Sequence, residues 1–507
     1  MKRGLRWVPV LLALSGAAAA KDLVGVFEDA VRNDPQIRQA DANRLAAREA
    51  RPQAWSNLLP QISGTAGATR DHSSGTTPQV FNNATNTGLV IFPVQSTADT
   101  TRKQWGLNLR QSVFSWANWM TLKEASSQVA QAEANYQAAE QNLIQRVAQA
   151  YFAVLSAEDN LEAQQASLEA ISRQLDQANK RFEVGLIAIT DVQEAKAARD
   201  TAAAAVIAAK RTLATAEDQL QEITAQKYDA LAKPGTDMPL NTPDPADENR
   251  WVETSLEQNL ALIASRLNAD IARDNVRVAF GGHLPTVDIV AGRSYSDSTS
   301  DEIVNGLRAG DVKGNNNDRQ IGIQVTVPIF SGGFTQSRVR QAQYQWIAAK
   351  EGVVQSSRAT ERQARDAYLG VISGIARVQA LRQALESSQT ALKATEAGYE
   401  VGTRTAVDVL NARRTLVQAQ TDYSGSRYDY IVSVIQLRLA AGNLDRNQLA
   451  EINNWLSAQA PTSPSTQPTP QSLTPPPPQT QTPNAPINPS TVTPPAGTPQ
   501  PPGRTPR

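Results

Sequence analysis

The sequence predicts an internally duplicated α+β membrane protein, with two β-strands and one long helical hairpin in each half. One segment occurs twice: Arg181-Phe182-Glu183-Val184-Gly185-Leu186-Ile187-Ala188-Ile189-Thr190-Asp191-Val192 returns as Gly398-Tyr399-Glu400-Val401-Gly402-Thr403-Arg404-Thr405-Ala406-Val407-Asp408-Val409. A segment repeated at a long interval is the mark of a duplicated architecture. Each Val-Gly interrupts a helical pattern, and before each hairpin the apolar period switches from about seven to two.

Composition narrows the function classes. Of 507 residues only 40% are hydrophobic and 5% aromatic, which is thin for several compact cores and points to elongated helices instead. The net charge is zero, so there is no electrostatic case for nucleic acid. With no cysteine, disulfides, thiolate metal sites, a Cys nucleophile and a lipidated Cys anchor are all removed. His72 and His283 are the two imidazoles, one in a polar stretch and one before a strand, and neither carries a catalytic or metal-binding motif around it.

Residues 1–20 read as a secretory signal peptide: Lys2, Arg3 and Arg6 are basic, Trp7 to Leu14 apolar, and Ala17 to Ala20 small. Repeat 1 is expected over 21–233, a proline-rich linker over 234–249, and repeat 2 over 250–457. Residues 458–507 are almost only Pro, Thr, Ser, Gln and Asn, a composition that cannot bury a core and is expected to be disordered. Each repeat opens with a helix, 22–56 or 250–278. A strand, a loop, a second strand and the long hairpin follow.

Between Pro93 and Pro234 there is no proline, and the stretch is rich in Ala, Gln, Glu, Leu and Arg, all helix formers. Leu161, Leu168, Leu175 and Phe182 fall seven apart, as do Val378, Leu385, Leu392 and Tyr399, and then Val409, Leu416, Tyr423, Tyr430 and Leu437. Sustained sevens predict coiled-coil packing of long helices rather than a globular core. Gly185 and Gly402 are placed to end one helix in the left-handed conformation and let the chain reverse.

Trp105, Leu107, Leu109 and Val113 alternate with polar or small residues, and so do Ile321, Ile323, Val325, Val327 and Ile329. These predict strands with one apolar and one polar face. Partner strands are expected after Leu59-Pro60-Gln61-Ile62 and after Leu284-Pro285-Thr286-Val287. The Gly, Asn, Ser and Thr of 73–101 and 296–318 read as loops. Helices with only narrow apolar seams give such strands nothing to bury against, so the apolar face is expected to meet lipid. Four strands cannot close a membrane barrel, whose smallest examples have about eight, and several chains must therefore contribute.

The duplicated layout, Leu59-Pro60-Gln61-Ile62, and above all Tyr399-Glu400-Val401-Gly402-Thr403-Arg404-Thr405-Ala406-Val407-Asp408-Val409-Leu410 resemble the TolC family of outer membrane channel-tunnels over about 22–456. The resemblance implies a homotrimer with a 12-stranded outer-membrane β-barrel, continued by a periplasmic α-helical coiled-coil barrel. It implies an exit duct for tripartite efflux or type I protein secretion, working with a periplasmic adaptor and an inner-membrane transporter of ABC or RND type. It further implies that Tyr399 and Arg404 reach Asp191 and Thr190 of a neighbouring hairpin and hold the periplasmic end closed. Asp408 would line a pore constriction; the family often has a second acid three residues on, where this chain has Asn411. The tips Val184, Gly185, Leu186, Val401, Gly402 and Thr403 would receive the adaptor. No catalytic residue, metal ligand or cofactor is expected. A barrel-anchored trimeric coiled-coil structural or adhesive protein is the alternative, although it leaves the matched breaks in the two hairpins without a purpose.

Overall fold

The computed structural model describes residues 20–82, 89–235 and 238–456; the expected signal peptide before Ala20 and the Pro-rich tail after 456 lie outside the described residues. The first half contains α1 (Leu23–Asn33), α2 (Pro35–Arg48), α3 (Ala50–Ser56), β1 (Gln61–Asn82), β2 (Leu89–Phe114), α4 (Trp116–Glu183) and α5 (Ile189–Thr224). The second contains α6 (Glu248–Gln258), α7 (Leu260–Phe280), β3 (Thr286–Val304), β4 (Leu307–Thr326), α8 (Phe334–Glu400), α9 (Ala406–Ala441) and α10 (Arg446–Asn453). Among the described residues no helix is long and apolar enough to cross a membrane.

The opening helix of each half is broken where the sequence was read as continuous. Asp34 caps α2 by accepting from the Ile37 amide at 3.2 Å, and Pro35 lacks the N–H that would extend α1. Asn259 does the same for α7, accepting from the Leu262 amide at 3.1 Å. The helix expected over 22–56 is therefore three helices, and that over 250–278 is two.

The hairpins match closely in length: α4 has 68 residues and α8 has 67, while α5 and α9 have 36 each. At 1.5 Å per residue the long arms run about 100 Å. Near the first tip the seam is small and tight, with Ala178, Val192 and Ala195 buried against Leu175 and Ile187. Further along, Ile171 and Ala198 of the first hairpin pack on Leu410 of α9.

All four strands form one antiparallel sheet in the order β1-β2-β3-β4. They are longer than expected, at 22, 26, 19 and 20 residues, and of the stretches expected as loops 73–82, 89–101 and most of 296–318 are strand, while 83–88 lie outside the described residues. Pairing continues through them, with Ser73 opposite Ala98 and Ser296 opposite Asn316. A strand whose two faces both carry Ser, Thr and Asn is stable where both faces meet water, because the ladder satisfies the backbone and solvent satisfies the side chains. Chain reversal between β3 and β4 needs only Asn305-Gly306, both at positive φ (+52° and +82°), the two-residue hairpin turn. About 20 residues at 3.3 Å extend some 65 Å, far beyond the 9–11 residues that span a bilayer.

The apolar rows stand bare, with Ile321 84%, Ile323 74% and Ile62 71% exposed in the single chain. Two positions depart from the expected alternation. Val113 falls in a bulge between Ser112 and Phe114, and β4 stops at Thr326, leaving Val327 and Ile329 beyond the ladder next to Pro328, which cannot donate to it.

A globular core does exist, contrary to the heptad reading. Leu143, Tyr151, Phe152 and Leu155 from the middle of α4 meet Tyr430, Ile431 and Ile435 of α9, under a cover of Leu23 and Val26 of α1, Leu231, Leu444, and Leu449 and Ile452 of α10. Heptads describe each helix alone, whereas this core is assembled from segments far apart in sequence. Its polar groups are partnered: Tyr151 Oη lies 2.7 Å from the Ala232 carbonyl and 3.2 Å from that of Lys21. Tyr428 donates to Asp159 at 2.6 Å, and Asp159 also takes Lys233 at 2.8 Å. Burial pushes both phenols well above their ordinary pKa. Tyr151→Phe removes the donor to the buried Ala232 carbonyl and is expected to cost about 1–3 kcal/mol, read as a lower thermal unfolding midpoint. An unchanged midpoint would show that the Ala232 carbonyl does not depend on the phenol.

Candidate functional site

The two hairpin tips are built by one device. Gly185 and Gly402 sit at φ +78° and +79°, a region costly for any residue with a Cβ. At the first tip the Leu186 amide donates to the Arg181 carbonyl and the Gly185 amide to Phe182, each at 2.9 Å. At the second, the Thr403 amide donates to Gly398 at 2.8 Å and the Gly402 amide to Tyr399 at 3.1 Å. These are paired Schellman closures, which satisfy the last carbonyls of α4 and α8. Both turns present apolar side chains to the outside: Val184 is 69%, Leu186 73% and Val401 74% exposed.

Beyond that shared turn the copies diverge. Thr403 adds a hydroxyl that donates to the Gly398 carbonyl at 3.0 Å, so it reinforces the end of α8. Gly398 itself makes room for Arg404: a Cβ there would lie 2.8 Å from Arg404 Cγ and 3.2 Å from Thr403 Oγ1. Gly398, Thr403 and Arg404 are thus one coupled set of substitutions, replacing Arg181, Leu186 and Ile187 of the first copy.

The start of α9 is capped where that of α5 is not. Thr405 Oγ1 accepts from the Asp408 amide at 3.2 Å, while Asp408 Oδ2 accepts from the Thr405 amide at 2.9 Å and its hydroxyl at 3.0 Å. This reciprocal capping box was legible as Thr405-Ala406-Val407-Asp408 but was not read from the sequence. Its equivalent in the first copy starts with Ala188, which has no side-chain acceptor, although Asp191 still stands in the first turn of α5. The Thr405 backbone and side-chain hydrogen bonds hold the Asp408 carboxyl below the usual carboxylate range, with Arg404 adding a smaller electrostatic pull. Asn411, one turn further on, is exposed.

Tyr399 is half-buried, and the guanidinium of Arg181 stands 5.2 Å from its ring centroid. That contact joins the two hairpins of one chain. It opens onto a cleft of about 530 Å³ whose walls include Arg173, Lys180, Arg181, Glu396, Tyr399 and Arg413. Arg413 of α9 pairs with Glu396 of α8 at 2.5 Å and ties the second hairpin across its arms. Arg181, Gly398, Thr405 and the Arg413–Glu396 pair were not singled out in the sequence. Thr190, Asp191 and Arg404 are brought to the same end of the molecule as Tyr399. Among the described residues no hydrogen bond or ion pair joins Tyr399 or Arg404 to Thr190 or Asp191 within one chain.

The outer membrane efflux protein family model matches residues 26–226 and 251–443, one segment in each repeat. The chain belongs to this family. The outer membrane protein TolC of Vibrio cholerae serotype O1 is 37% identical over 443 residues, covering 87% of this chain and 95% of that protein. The proteases secretion protein PrtF of Dickeya chrysanthemi is 27% identical, covering 90% and 96%. The Campylobacter jejuni CmeC outer membrane channel has the same fold, with a TM-score of 0.65 at 19% identity over 86% of this chain and 90% of that one. The chain is accordingly a TolC-like outer membrane channel, an exit duct for efflux and secretion. Channels of this family form trimers and work with partner components.

Thr405→Ala removes half of the capping box and is expected to cost the α9 N-terminus about 1 kcal/mol, read as faster amide exchange over 405–410. A carboxyl with a depressed folded pKa stabilises the folded chain above its unfolded pKa, and the contribution is lost as pH falls through the folded value. The exchange difference between the chain and Thr405→Ala should therefore shrink under strongly acidic conditions; one that is independent of pH would show that Asp408 takes no part.

Proposed function

We propose that three copies of this chain close a 12-stranded barrel in the outer membrane and continue it as a helical tube in the periplasm. The observation that carries this reading is the four-stranded sheet with a bare apolar face and two open edges. Backbone groups on those edges cannot face lipid unpaired, so β4 of one copy must meet β1 of the next. The matched hairpins then hang from one ring. A heat-resistant trimer that conducts ions across a planar bilayer is the expected result, and a trimer without conductance would support a structural protein instead.

At the periplasmic end, Tyr399 and Arg404 of one hairpin hold Thr190 and Asp191 of a neighbouring one. Arginine can fork onto a carboxylate, and such links, each weak when exposed, add up round a symmetry axis while a partner can still open them. A periplasmic adaptor contacts the exposed Val184–Leu186 and Val401–Thr403 turns and couples the duct to an inner-membrane ABC or RND transporter. Absence of a lipid-anchor cysteine and closeness of the tip motif to TolC lean towards protein secretion or shared use over a dedicated drug pump. Tyr399→Phe combined with Arg404→Ser is expected to raise single-channel conductance severalfold, and an unchanged pore would leave these residues a merely structural role.

Asp408 contributes one carboxylate per chain to a ring of three, while Asn411 supplies none. One acidic ring favours cations and binds polyvalent ones, more weakly than two would. In bilayer recordings Asp408→Asn should abolish block by divalent cations, and block of unchanged strength would remove Asp408 from the constriction.

A further inference from the structure

The apolar face of the sheet carries a band of charge that the channel function leaves unused. Strand register places Ala66, Trp105, Tyr295 and Asn317 in one transverse row, with the Trp105 and Tyr295 rings stacked at 6.4 Å. Since alternate residues share a face, the rows two, four and six residues away along each strand share this one. Nearer the helices, the row Gly64, Leu107, Arg293 and Arg319 is followed by Ile62, Leu109, Ala291 and Ile321. Away from the helices, the next row is Ala68, Lys103, Asp297 and Asn315, and the one after it Arg70, Thr101, Thr299 and Lys313.

Within these rows five cations, Arg70, Lys103, Arg293, Lys313 and Arg319, bracket the aromatic row, against one carboxylate, Asp297. All five are exposed, and among the described residues none makes an ion pair, although Asp297 is the cross-strand neighbour of Lys103. Arg293 instead places its guanidinium 5.8 Å from the Trp105 ring centroid. One row further out the charges are of the other kind and are already partnered. Asp99 takes His72 at 2.9 Å, and Arg308 bridges Asp301 at 2.6 Å and Asp311 at 3.5 Å. The carboxylates of that row are thus partnered by His72 and Arg308, while among the described residues the cations at the aromatic level make no ion pair.

We propose that this band binds the phosphorylated headgroups of outer-leaflet lipid. The inference rests on the reading that the apolar face of the sheet meets lipid. An aromatic row marks the level where hydrocarbon gives way to headgroups, and cations there complement anionic phosphate, with Arg293 and Arg319 extending their charge outward along the wall. The row spacing of about 7 Å puts Lys103 about 7 Å, and Arg70 and Lys313 about 13 Å, beyond Trp105 along the strands, on the headgroup side of the aromatic row.

The test uses full-length protein in proteoliposomes and quenching of Trp105, taken as the difference from Trp105→Phe. Phosphatidic acid and phosphatidylcholine, each brominated on the acyl chains, are the probes. The protein is expected to prefer phosphatidic acid by at least about fivefold, the worth of one cation at a membrane surface. Preference should fall towards unity in the variant carrying Arg70→Gln, Lys103→Gln, Arg293→Gln, Lys313→Gln and Arg319→Gln. It should fall partway in Arg70→Gln with Lys313→Gln, which alters only exposed positions and covers any failure of the larger variant to fold. Arg102→Gln, on the opposite face, should leave it intact. Equal quenching by both lipids, or an undiminished preference in the multiple variants, overturns the proposal, as does displacement by inorganic phosphate alone, which would make the band an ion site. Failure of either lipid to quench Trp105 would overturn the lipid-facing reading itself, whereas quenching without preference removes only the headgroup site.

Discussion

The unpaired edges of β1 and β4 constrain the rest of the structure. Every N–H and C=O that faces hydrocarbon without a partner costs several kcal/mol, and a four-stranded sheet leaves two such rows. Closure with further copies of the same chain removes both at once. Each strand pair is followed by one helical hairpin, so the ring that closes the sheet also fixes how many helices descend from it. The near-identity of α4 and α8, at 68 and 67 residues, then has a mechanical reason: arms hung from one ring must end at one level if their tips are to meet.

The short arms explain why a globular core sits where it does. α5 and α9 have 36 residues each, so they accompany only the tip-side part of the long helices. Where they stop, other segments take over the exposed apolar stripe. α1, α10 and the chain around Leu231 and Leu444 cover it, and backbone bridges from Lys21 to Leu231 and from Pro234 to Leu456 tie the connection between the repeats to both ends of the described chain. Such a belt brings polar backbone inside, which is why Tyr151 and Tyr430 are buried there with their hydroxyls on main-chain atoms of Ala232 and Asn241. A buried tyrosine is stable only with such a partner.

What could be read from the sequence followed from local rules. Val-Gly ended the helices because a left-handed glycine is a property of one residue and its turn, and alternation revealed strands because it needs no partner. Three features were lost for a common reason. The stretches 73–82, 89–101 and 296–318 look like loops until each strand is seen to satisfy its neighbour. The belt core needs residues hundreds of positions apart. The cation band exists only once register sets Arg70 level with Lys313. Caps at Asp34, Asn259 and Thr405, by contrast, are local and were legible, since each is a short polar residue followed by a helix-forming run.

The second tip is where the duplication has been put to separate use, and its substitutions are interdependent. Arg404 as placed packs over Gly398, where a Cβ would force its side chain to shift, and Thr403 supplies the hydroxyl that closes the Gly398 carbonyl. Thr405 does for α9 what Ala188 cannot do for α5, and in doing so fixes Asp408 through two hydrogen bonds to one oxygen. A carboxylate held in this way cannot swing towards a passing cation, nor is it readily protonated, since both bonds favour its charged form. The proposed ring therefore has a charge set by a helix cap rather than by the pore. Its strength as a cation site depends on the remaining oxygen of Asp408 and on Asn411, which offers a dipole where a second carboxylate would have offered a charge.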